Sequence, residues 1–344
     1  MIESNKQITL SDIAKKLNVS KVTVSKALRN HPDISEKRTK EIKGVAAEMG
    51  YIPNFAARNL SAKKTRTIGV VIPVIANSFF ADIVEHFYNY AFENNYDIIL
   101  AVSQEDSARE RKHLETMLSM RVDGIIISIV EHSENKDMFQ RIKNNEIPLV
   151  FFDRTIGKQE FSSVTLSNKL GATKAVEKAI ENGYTKIGHI AGWKNSNIGR
   201  DRFLGYQQAI KKSGLELNGN WTEFSGFSKK DGYNSFIKMY NENRLPEFLF
   251  AVTFPVALGI LAAAEEVGIK IPEDLDLICF GDSELNDYLI PSISCITHST
   301  ANFATEAFTL LLRQMNASEK FSEEHIEIET ELLIKETCLK NNKG

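Results

Sequence analysis

Beyond residue 66, short apolar segments alternate with longer amphipathic stretches, and this alternation restricts the fold more than any other feature of the sequence. The apolar segments have the length of buried strands, and the stretches between them have the period of helices. Strands that alternate with helices form parallel sheets with helices on both faces. The sequence therefore predicts a doubly wound α/β body with central strands at 67–72, 97–102, 124–129, 149–152, 187–191, 248–252 and 277–280.

The first 50 residues follow a different pattern, with three apolar stripes at helical spacing. Thr9 and Asp12 have the spacing of a capping box before the first stripe, and Ser20 suits the N-cap of the second. The third stripe begins after Ser35 and ends at Gly50, which fits a left-handed C′ position. Two short helices joined by a turn of about four residues form a helix-turn-helix. We therefore predict a small all-α domain at residues 1–50, with stripes formed by Leu10, Ile13, Ala14 and Leu17, by Val24, Ala27 and Leu28, and by Ile42, Val45, Ala46 and Met49.

Positive charge is concentrated at the N-terminal end of the chain. Residues 1–66 contain 14 Lys and Arg against 6 Asp and Glu, whereas the remainder contains 28 against 39. A basic region on an acidic protein is typical of a part that meets a polyanion, although a solvated basic surface has the same composition. The outer face of the second helix has no acidic residue and can donate hydrogen bonds in the major groove of DNA. This face presents Lys21, Val22, Thr23, Ser25, Lys26 and Arg29.

The run ITLSDIAKKLNVSKVTVSKALRN, the segment MGYIPN and the pattern A-x-R-x-L follow one another in this region. Together they resemble the head of the lactose-repressor (LacI/GalR) family of bacterial transcription regulators, and the resemblance extends over nearly the whole chain. It implies a regulator that binds a palindromic operator as a homodimer under the control of a small-molecule effector. Lys26 stands where the family more often has Arg, which changes the expected base preference because Lys cannot donate bidentately. The implied DNA contacts are Thr9, Ser20, Lys21, Val22, Thr23, Ser25, Lys26, Arg29, Asn54, Ala57, Arg58, Leu60 and Lys63.

Residues 51–66 are predicted to form a hinge helix and linker. Asn54 is a good N-cap, and the following residues can form about two turns, which are too short to be stable alone in water. The resemblance implies that paired hinge helices enter the minor groove, where Leu60 wedges a base step and Ala57 permits close approach. The alternative is a simple linker of small residues that leads into a basic tether at Lys63.

For residues 67–344 the resemblance implies an effector-binding and dimerisation domain that is similar to periplasmic sugar-binding proteins. It predicts two doubly wound subdomains joined by crossover strands, with the ligand cleft between them. The N-subdomain is expected at about 67–165 and 298–325, and the C-subdomain at about 166–297 and 326–340. Ligands of such sheets bind at the carboxyl ends of the strands.

Four residues near strand ends resemble the effector contacts of the family by position: Phe79, Asp153, Arg202 and Phe227. Aromatic rings suit stacking, and Arg suits a ligand oxygen or carboxylate. Each also has a structural alternative, since Phe79 fits a core or a helix start and Phe227 fits a loop plug. Asp153 fits an ion pair with Arg154.

Two departures from the family pattern concern the effector. Thr253 and Phe254 stand where the family usually has Asn-Asp, and residues 279–282 read Cys-Phe-Gly-Asp where the family has G-F-D-D. A carboxylate that would grip sugar hydroxyls is therefore missing, and Phe254 is expected to line a wet cleft as a hydrophobic wall. Asp282 can replace the carboxylate by a one-residue shift. The expected effector is a sugar or related metabolite that is less polyhydroxylated or is bound by stacking.

Other function classes lack support in the sequence. No catalytic or nucleotide-binding motif is present, the seven His show no ligand spacing, and Cys279, Cys295 and Cys338 form no close pair. We therefore expect no enzyme activity, no cofactor and no metal. His298 is expected near the cleft because it follows a crossover strand at Ile296.

Location and assembly are also expectations at this point. No apolar run approaches the roughly 20 residues that span a bilayer, and the N-terminus lacks the pattern of a signal peptide. We expect a cytoplasmic, nucleoid-associated protein. We expect a homodimer, since tetramers of the resembled family form through a C-terminal extension with leucine heptads and the tail here is too short for one. The alternative function is a cytoplasmic small-molecule binding protein with a degenerate head that does not bind DNA.

Overall fold

The computed structural model describes residues 8–52, 64–157, 160–317 and 321–338. The chain divides into two compact units, Met1–Thr65 and Arg66–Gly344. The predicted hinge residues Asn54, Ala57, Arg58, Leu60 and Lys63 lie outside the described residues.

The described part of the first unit is a bundle of three helices: α1 (Leu10–Leu17), α2 (Lys21–Leu28) and α3 (Glu36–Glu48). The Ser20 and Ser35 hydroxyls accept the backbone N–H groups of Thr23 and Arg38, so each caps the helix that follows it. Gly50 has a φ of +67°, which confirms the predicted left-handed position after α3. The three predicted stripes meet in one core around Ile13, Ala14, Val24, Ala27, Ile42 and Ala46.

The described residues of the second unit form two six-stranded sheets. The first consists of β1 (Thr67–Ile72), β2 (Asp97–Val102), β3 (Gly124–Ile127), β4 (Leu149–Phe152), β5 (Ser162–Leu166) and β11 (His325–Ile328). The second consists of β6 (Ile187–Ala191), β7 (Thr222–Phe224), β8 (Phe248–Ala251), β9 (Asp276–Phe280), β10 (Ser294–Thr297) and β12 (Glu331–Leu333). The first sheet has the order β11-β5-β4-β3-β1-β2, and all its pairs are parallel. The second has the order β12-β10-β9-β8-β6-β7, and its β10–β12 pair is antiparallel while the other pairs are parallel.

Helices cover both faces of each sheet, as expected for a doubly wound fold. The N-terminal sheet packs against α4 (Ser78–Glu93), α5 (Ser107–Met120), α6 (Lys136–Asn144) and α11 (Thr300–Asn316). The C-terminal sheet packs against α7 (Asn168–Glu181), α8 (Asn197–Lys212), α9 (Lys229–Asn241) and α10 (Phe254–Val267). Alternate residues of β1 show the layering, because Ile68 and Val70 join the cluster of α4 and α11, whereas Val71 joins that of α5 and α6. Two short 3₁₀ helices, Gly219–Trp221 and Glu284–Tyr288, complete the described elements.

The chain crosses between the sheets after β5, after β10 and between β11 and β12. The predicted boundary at residue 326 needs a correction. Residues His325–Ile328 pair in register with Ser163–Leu166, so the backbone hydrogen bonds of β11 hold this segment in the N-subdomain. The last crossing falls at residues 329–330, and the C-subdomain resumes at β12.

Candidate functional site

The outer face of α2 is the surface that the sequence predicts to meet DNA. Val22 is 64% exposed, while Val24 and Ala27 on the opposite side of the helix are fully buried. Lys21 and Arg29 are also exposed. The packing of α2 in the three-helix core therefore directs an apolar tip and two cations outward.

Several other predicted DNA contacts also stabilise the helix ends. The Ser20 hydroxyl accepts the Thr23 N–H at 3.0 Å and lies 2.9 Å from the Thr23 hydroxyl. The Thr9 N–H donates to the Asp12 carboxylate at 2.9 Å, which is the backbone half of the expected capping box, and the Thr9 hydroxyl donates to the same carboxylate at 2.7 Å. The Arg29 Nε donates to the carbonyl of Ser25 at 3.2 Å. The Thr9 and Ser20 contacts fix the N-termini of α1 and α2, and the Arg29 contact holds the C-terminal end of α2.

An ion pair at the edge of α2 was not predicted. The Lys26 Nζ donates to the Asp33 carboxylate at 2.5 Å, and the Nδ1 of His31 lies 3.4 Å from the same oxygen. The Lys26 hydrogen bond, followed by the charge of His31, lowers the pKa of Asp33. The left-handed φ of +55° at Asn30 turns the chain back toward the helix. The Asp33 carboxylate therefore lies beside the outer face of α2, although that face itself has no acidic residue.

Arg202 is the most completely held of the predicted effector residues. Its buried guanidinium donates through Nε to Asn168 at 2.9 Å and through Nη1 to the carbonyl of Val252. The guanidinium carbon also lies 3.5 Å from the centroid of the Phe280 ring, which is a cation–π contact. Burial lowers the pKa of Arg202 to about 9, and the charge of Asp153 opposes this effect. Arg202 therefore links α7, α8 and the carboxyl ends of β8 and β9.

Asp153 lies directly after β4 and is buried. It adopts a φ of +60°, and its carbonyl accepts a hydrogen bond from Asn197 at 3.0 Å. Burial raises the pKa of Asp153 to about 6, even though Arg154 and Arg202 attract its charge. The Arg154 guanidinium donates to Glu105 at 2.7 and 2.9 Å.

Phe79 and His298 are two aromatic residues near Arg202. Their ring centroids lie 5.5 Å apart in an edge-to-face arrangement, and Phe303 contacts both rings. Both ring nitrogens of His298 are buried and have no hydrogen-bond partner among the described residues. Burial lowers the pKa of His298 to about 4, and the charges of Arg202 and Asp282 also act on it. A neutral imidazole therefore stands beside Arg202.

Phe227 lies at the junction of the two subdomains. Its ring packs edge-on against Trp193 at 4.8 Å, and the guanidinium carbon of Arg154 is 5.5 Å from its centroid. The Thr253 hydroxyl donates to the carbonyl of Phe227 at 3.1 Å. The contact with Arg154 joins this C-subdomain loop to the N-subdomain.

Phe254 contradicts the expectation of a hydrophobic wall in a wet cleft. Its side chain is only 5% exposed and belongs to the apolar cluster that includes Val252, Val256 and Ile260. The Thr253 hydroxyl caps α10, so Phe254 is the first residue of that helix and its ring turns into the core. The ring therefore belongs to the core of the C-subdomain.

Asp282 organises the loop that follows β9. Its Oδ1 accepts hydrogen bonds from the Ser283 N–H and the Asn286 amide, both at 2.8 Å, and its Oδ2 is 3.9 Å from the Lys335 Nζ. Asp282 also acts electrostatically on His298, which places it beside the Arg202 region. Its expected contact with an effector stays a prediction.

Neither a metal site nor a disulfide is visible in the described ranges. Within them, no group of three His, Cys, Asp or Glu side chains could hold a metal ion, and the three cysteines are free and buried. No helix in this part of the chain is long and apolar enough to cross a bilayer.

Two family models match the chain. One, described as bacterial regulatory proteins of the lacI family, matches residues 9–54, and the other, a periplasmic binding protein-like domain, matches residues 176–338. Catabolite control protein A of Priestia megaterium is 28% identical over 310 residues, which cover 90% of this chain and 93% of that protein. The ribose operon repressor of Haemophilus influenzae is 28% identical over 314 residues, which cover 91% and 94%. A solved lac repressor dimer, bound to operator and the anti-inducer ONPF, superposes with a TM-score of 0.86 at 22% identity and covers 97% of this chain and 100% of that one.

Proposed function

The chain belongs to the LacI family of bacterial transcription regulators, and we propose that it binds a palindromic operator as a homodimer whose DNA affinity depends on a small-molecule effector. It is a DNA-binding regulator and not an enzyme. The observation that carries the proposal is the capped three-helix unit, which holds the acid-free face of α2 outward. The alternative, a solute-binding protein with a degenerate head, is not favoured because the caps and the core of this unit are intact.

The proposed effector region is the cluster around Arg202. It combines a guanidinium, the buried carboxyl of Asp153, the neutral imidazole of His298 and the ring of Phe79. A ribose operon repressor is among the relatives, and a similar solved structure is a regulator in complex with cellobiose. These findings support a sugar or sugar derivative as the effector class.

The proposed dimer surface lies on the loop between β9 and β10. Leu285, Tyr288 and Ile290 are 61, 84 and 96% exposed, and they stand close together in sequence. Adjacent exposed apolar side chains are typical of a surface that another protein covers. A second copy of this chain is the proposed occupant, and the similar lac repressor was solved as a dimer.

Operator selection followed by gel shift tests the proposal. The full-length protein should retain selected fragments from a genomic library at about 50 mM salt and lose much of that affinity at about 200 mM, because cations released from phosphates drive binding. Val22→Ala and Lys26→Ala should change half-site preference, whereas Lys63→Ala should weaken all sites alike. Absence of any selective complex at low salt would show that the regulator proposal is wrong.

The hinge has a separate test. Leu60→Ala should reduce operator bending in a circular-permutation gel shift and leave the melting temperature of free protein nearly unchanged. A large fall in melting temperature with unchanged bending would assign Leu60 to packing. Colocalisation of a fluorescent fusion with DNA tests the expected nucleoid association.

Effector and operator must change each other's affinity by the same factor if the two sites are coupled. Arg202→Lys keeps the charge and removes the planar donor fork, so it should abolish the effector response and leave effector-free DNA binding within a few fold. If the effector changes the DNA affinity of Arg202→Lys as much as that of the wild type, then the effector binds at another site.

A further inference from the structure

Asn197 is the first residue of α8, and its side-chain amide joins the two subdomains. The Nδ2 group donates to the carbonyl of Asp153 at 3.0 Å, and the Oδ1 atom accepts the N–H of Thr155 at 3.4 Å. Both partners lie in the loop after β4 of the N-subdomain, whereas α8 belongs to the C-subdomain. One amide of the C-subdomain therefore binds the N-subdomain backbone on both sides of Arg154.

The loop that Asn197 binds has a backbone conformation that needs support. Asp153 has a φ of +60°, a left-handed conformation that is uncommon for a residue with a side chain and that persists only when neighbouring groups hold it. Its N–H donates to the carbonyl of Val164 in β5 at 3.0 Å, so the N-subdomain holds one end of the residue. The Asn197 amide holds the other end through the Asp153 carbonyl.

Helix α8 connects this contact to the guanidinium of Arg202. The Ser196 hydroxyl caps the helix by accepting the Gly199 N–H at 2.9 Å, so the first turn, which includes Asn197, is fixed. Arg202 lies further along the same helix, and its Nε donates to Asn168 of α7 at 2.9 Å. The helix therefore links the loop after β4 to the buried guanidinium.

Two ring contacts also join the subdomains at this junction. The guanidinium carbon of Arg154 lies 5.5 Å from the centroid of Phe227, and the rings of His132 and Trp193 lie 6.2 Å apart. Hydrogen bonds are directional and weaken steeply when their angle falls below about 120°. The Asn197 hydrogen bonds therefore restrict the relative position of the subdomains more sharply than these ring contacts do.

We propose that Asn197 is a positioning residue of the proposed effector region, which holds the Asp153 carboxyl in register with the Arg202 guanidinium across the two subdomains. These two groups act on each other electrostatically in this arrangement. Without the two Asn197 hydrogen bonds the loop that bears Asp153 is free to move away from α8, and the two groups no longer face one ligand together. This inference rests on the proposed effector region, but its tests need neither the effector nor DNA.

Hydrogen exchange of the full-length protein, followed by mass spectrometry, tests the two hydrogen bonds. Asn197→Leu keeps the branched shape of the side chain and removes both the donor and the acceptor. Peptides that contain Thr155 should exchange about tenfold faster in this variant, because the amide loses its acceptor and the loop loses its support. Asn197→Ala provides the same test if the Leu side chain prevents folding, since Ala is favourable in a helix.

Asn195→Leu is the matched control for this experiment. It makes the same change at an exposed residue that lies two positions earlier in the chain and makes neither of the hydrogen bonds. The exchange of Thr155 in this control should equal that in the wild type.

The pH dependence of Asp153 provides a second readout, which a purely local role of Asn197 would not change. Burial raises the pKa of Asp153 to about 6, while Arg154 and Arg202 lower it and Glu105 raises it. The stability of Asp153→Asn relative to its parent protein should therefore increase as pH rises from about 4 to about 6. In the Asn197→Leu background this increase should fall to about half or less, because a carboxyl that moves away from α8 becomes hydrated.

Thermal denaturation of the wild type, both single variants and the double variant at several pH values provides the measurement. The Asn195→Leu background should keep the full pH effect of Asp153→Asn. The proposal is wrong if Asn197→Leu leaves the pH effect unchanged, since faster exchange of Thr155 alone would assign Asn197 to local loop structure. It is also wrong if Thr155 exchanges as in the wild type, or if Asn195→Leu alters both readouts as strongly. Loss of operator binding or of a sugar response would contradict the proposed function and leave these results unaffected.

Discussion

Replacement of Phe254 by Asp tests the assignment of this side chain to the core of the C-subdomain. The wild-type ring is 5% exposed and packs among apolar neighbours of α10 and β8. Loss of a buried Phe ring costs about 3–5 kcal/mol in Phe→Ala variants. An introduced carboxylate without a partner adds to that loss, because it must stay buried or disrupt the helix start.

The expected effect can be expressed as a melting temperature. For a domain of 150–250 residues, 1 kcal/mol corresponds to about 2–4 °C, and the body is slightly larger. Phe254→Ala should therefore lower the melting temperature by about 6–20 °C, and Phe254→Asp by at least as much. Phe254→Leu should lower it far less, since most of the apolar volume is kept.

Thermal denaturation followed by circular dichroism provides the measurement. Leu217→Asp is the matched control, because it introduces the same carboxylate at a residue of the same subdomain that is 42% exposed. It should change the melting temperature by only about 1–2 °C. If Phe254→Asp melts as the control does and changes only ligand affinity, then the ring lines the cleft and its assignment to the core is wrong.

Three further variants test other features. Asp33→Asn removes the ion pair and should leave Lys26 able to bind a DNA phosphate. Gel shifts between about 50 and 200 mM salt should then show a salt dependence of DNA affinity that is steeper by about one counterion. An unchanged salt dependence would mean that the ion pair does not compete with DNA. The stability of Asp153→Asn relative to the wild type should increase as pH rises from about 4 to about 6, since the raised pKa of Asp153 makes its ionisation in the folded state unfavourable. A difference in melting temperature between the two proteins that stays constant across that pH range would contradict this. Ile290→Asp should weaken dimerisation at least tenfold in analytical ultracentrifugation, whereas an unchanged sedimentation coefficient would exclude this loop from the interface.

The elements with strong local patterns were predictable from the sequence. Strands β1, β2, β4 and β6 have the predicted bounds, because each is a short and mainly apolar run between helical stretches. The sequence did not predict β5, β7, β11 or β12. The last two are short edge strands with charged residues, and β5 is rich in Ser and Thr, so their pairing depends on neighbours distant in sequence.

The site was predictable by position and less so by side-chain direction. Asp153 and Arg202 lie at strand and helix ends where such residues can meet, and the structure places them within electrostatic reach of each other. Phe254 occupies an equivalent position, but the start of α10 turns its ring inward. Asp33 reaches Lys26 only because the chain reverses at Asn30, and no helical period encodes that reversal.

The three crossings between the sheets have a consequence for protein synthesis. β5 ends at Leu166, whereas its partner β11 begins at His325, and β12 of the other sheet follows only at Glu331. A ribosome must therefore synthesise almost the whole chain before either sheet can add its last strand. Until then β5 and β10 present open edges, which promote aggregation. A nonsense or frameshift mutation anywhere upstream of residue 325 removes both β11 and β12. Each subdomain then lacks one strand of its sheet, so neither is left as an intact fragment in the cell.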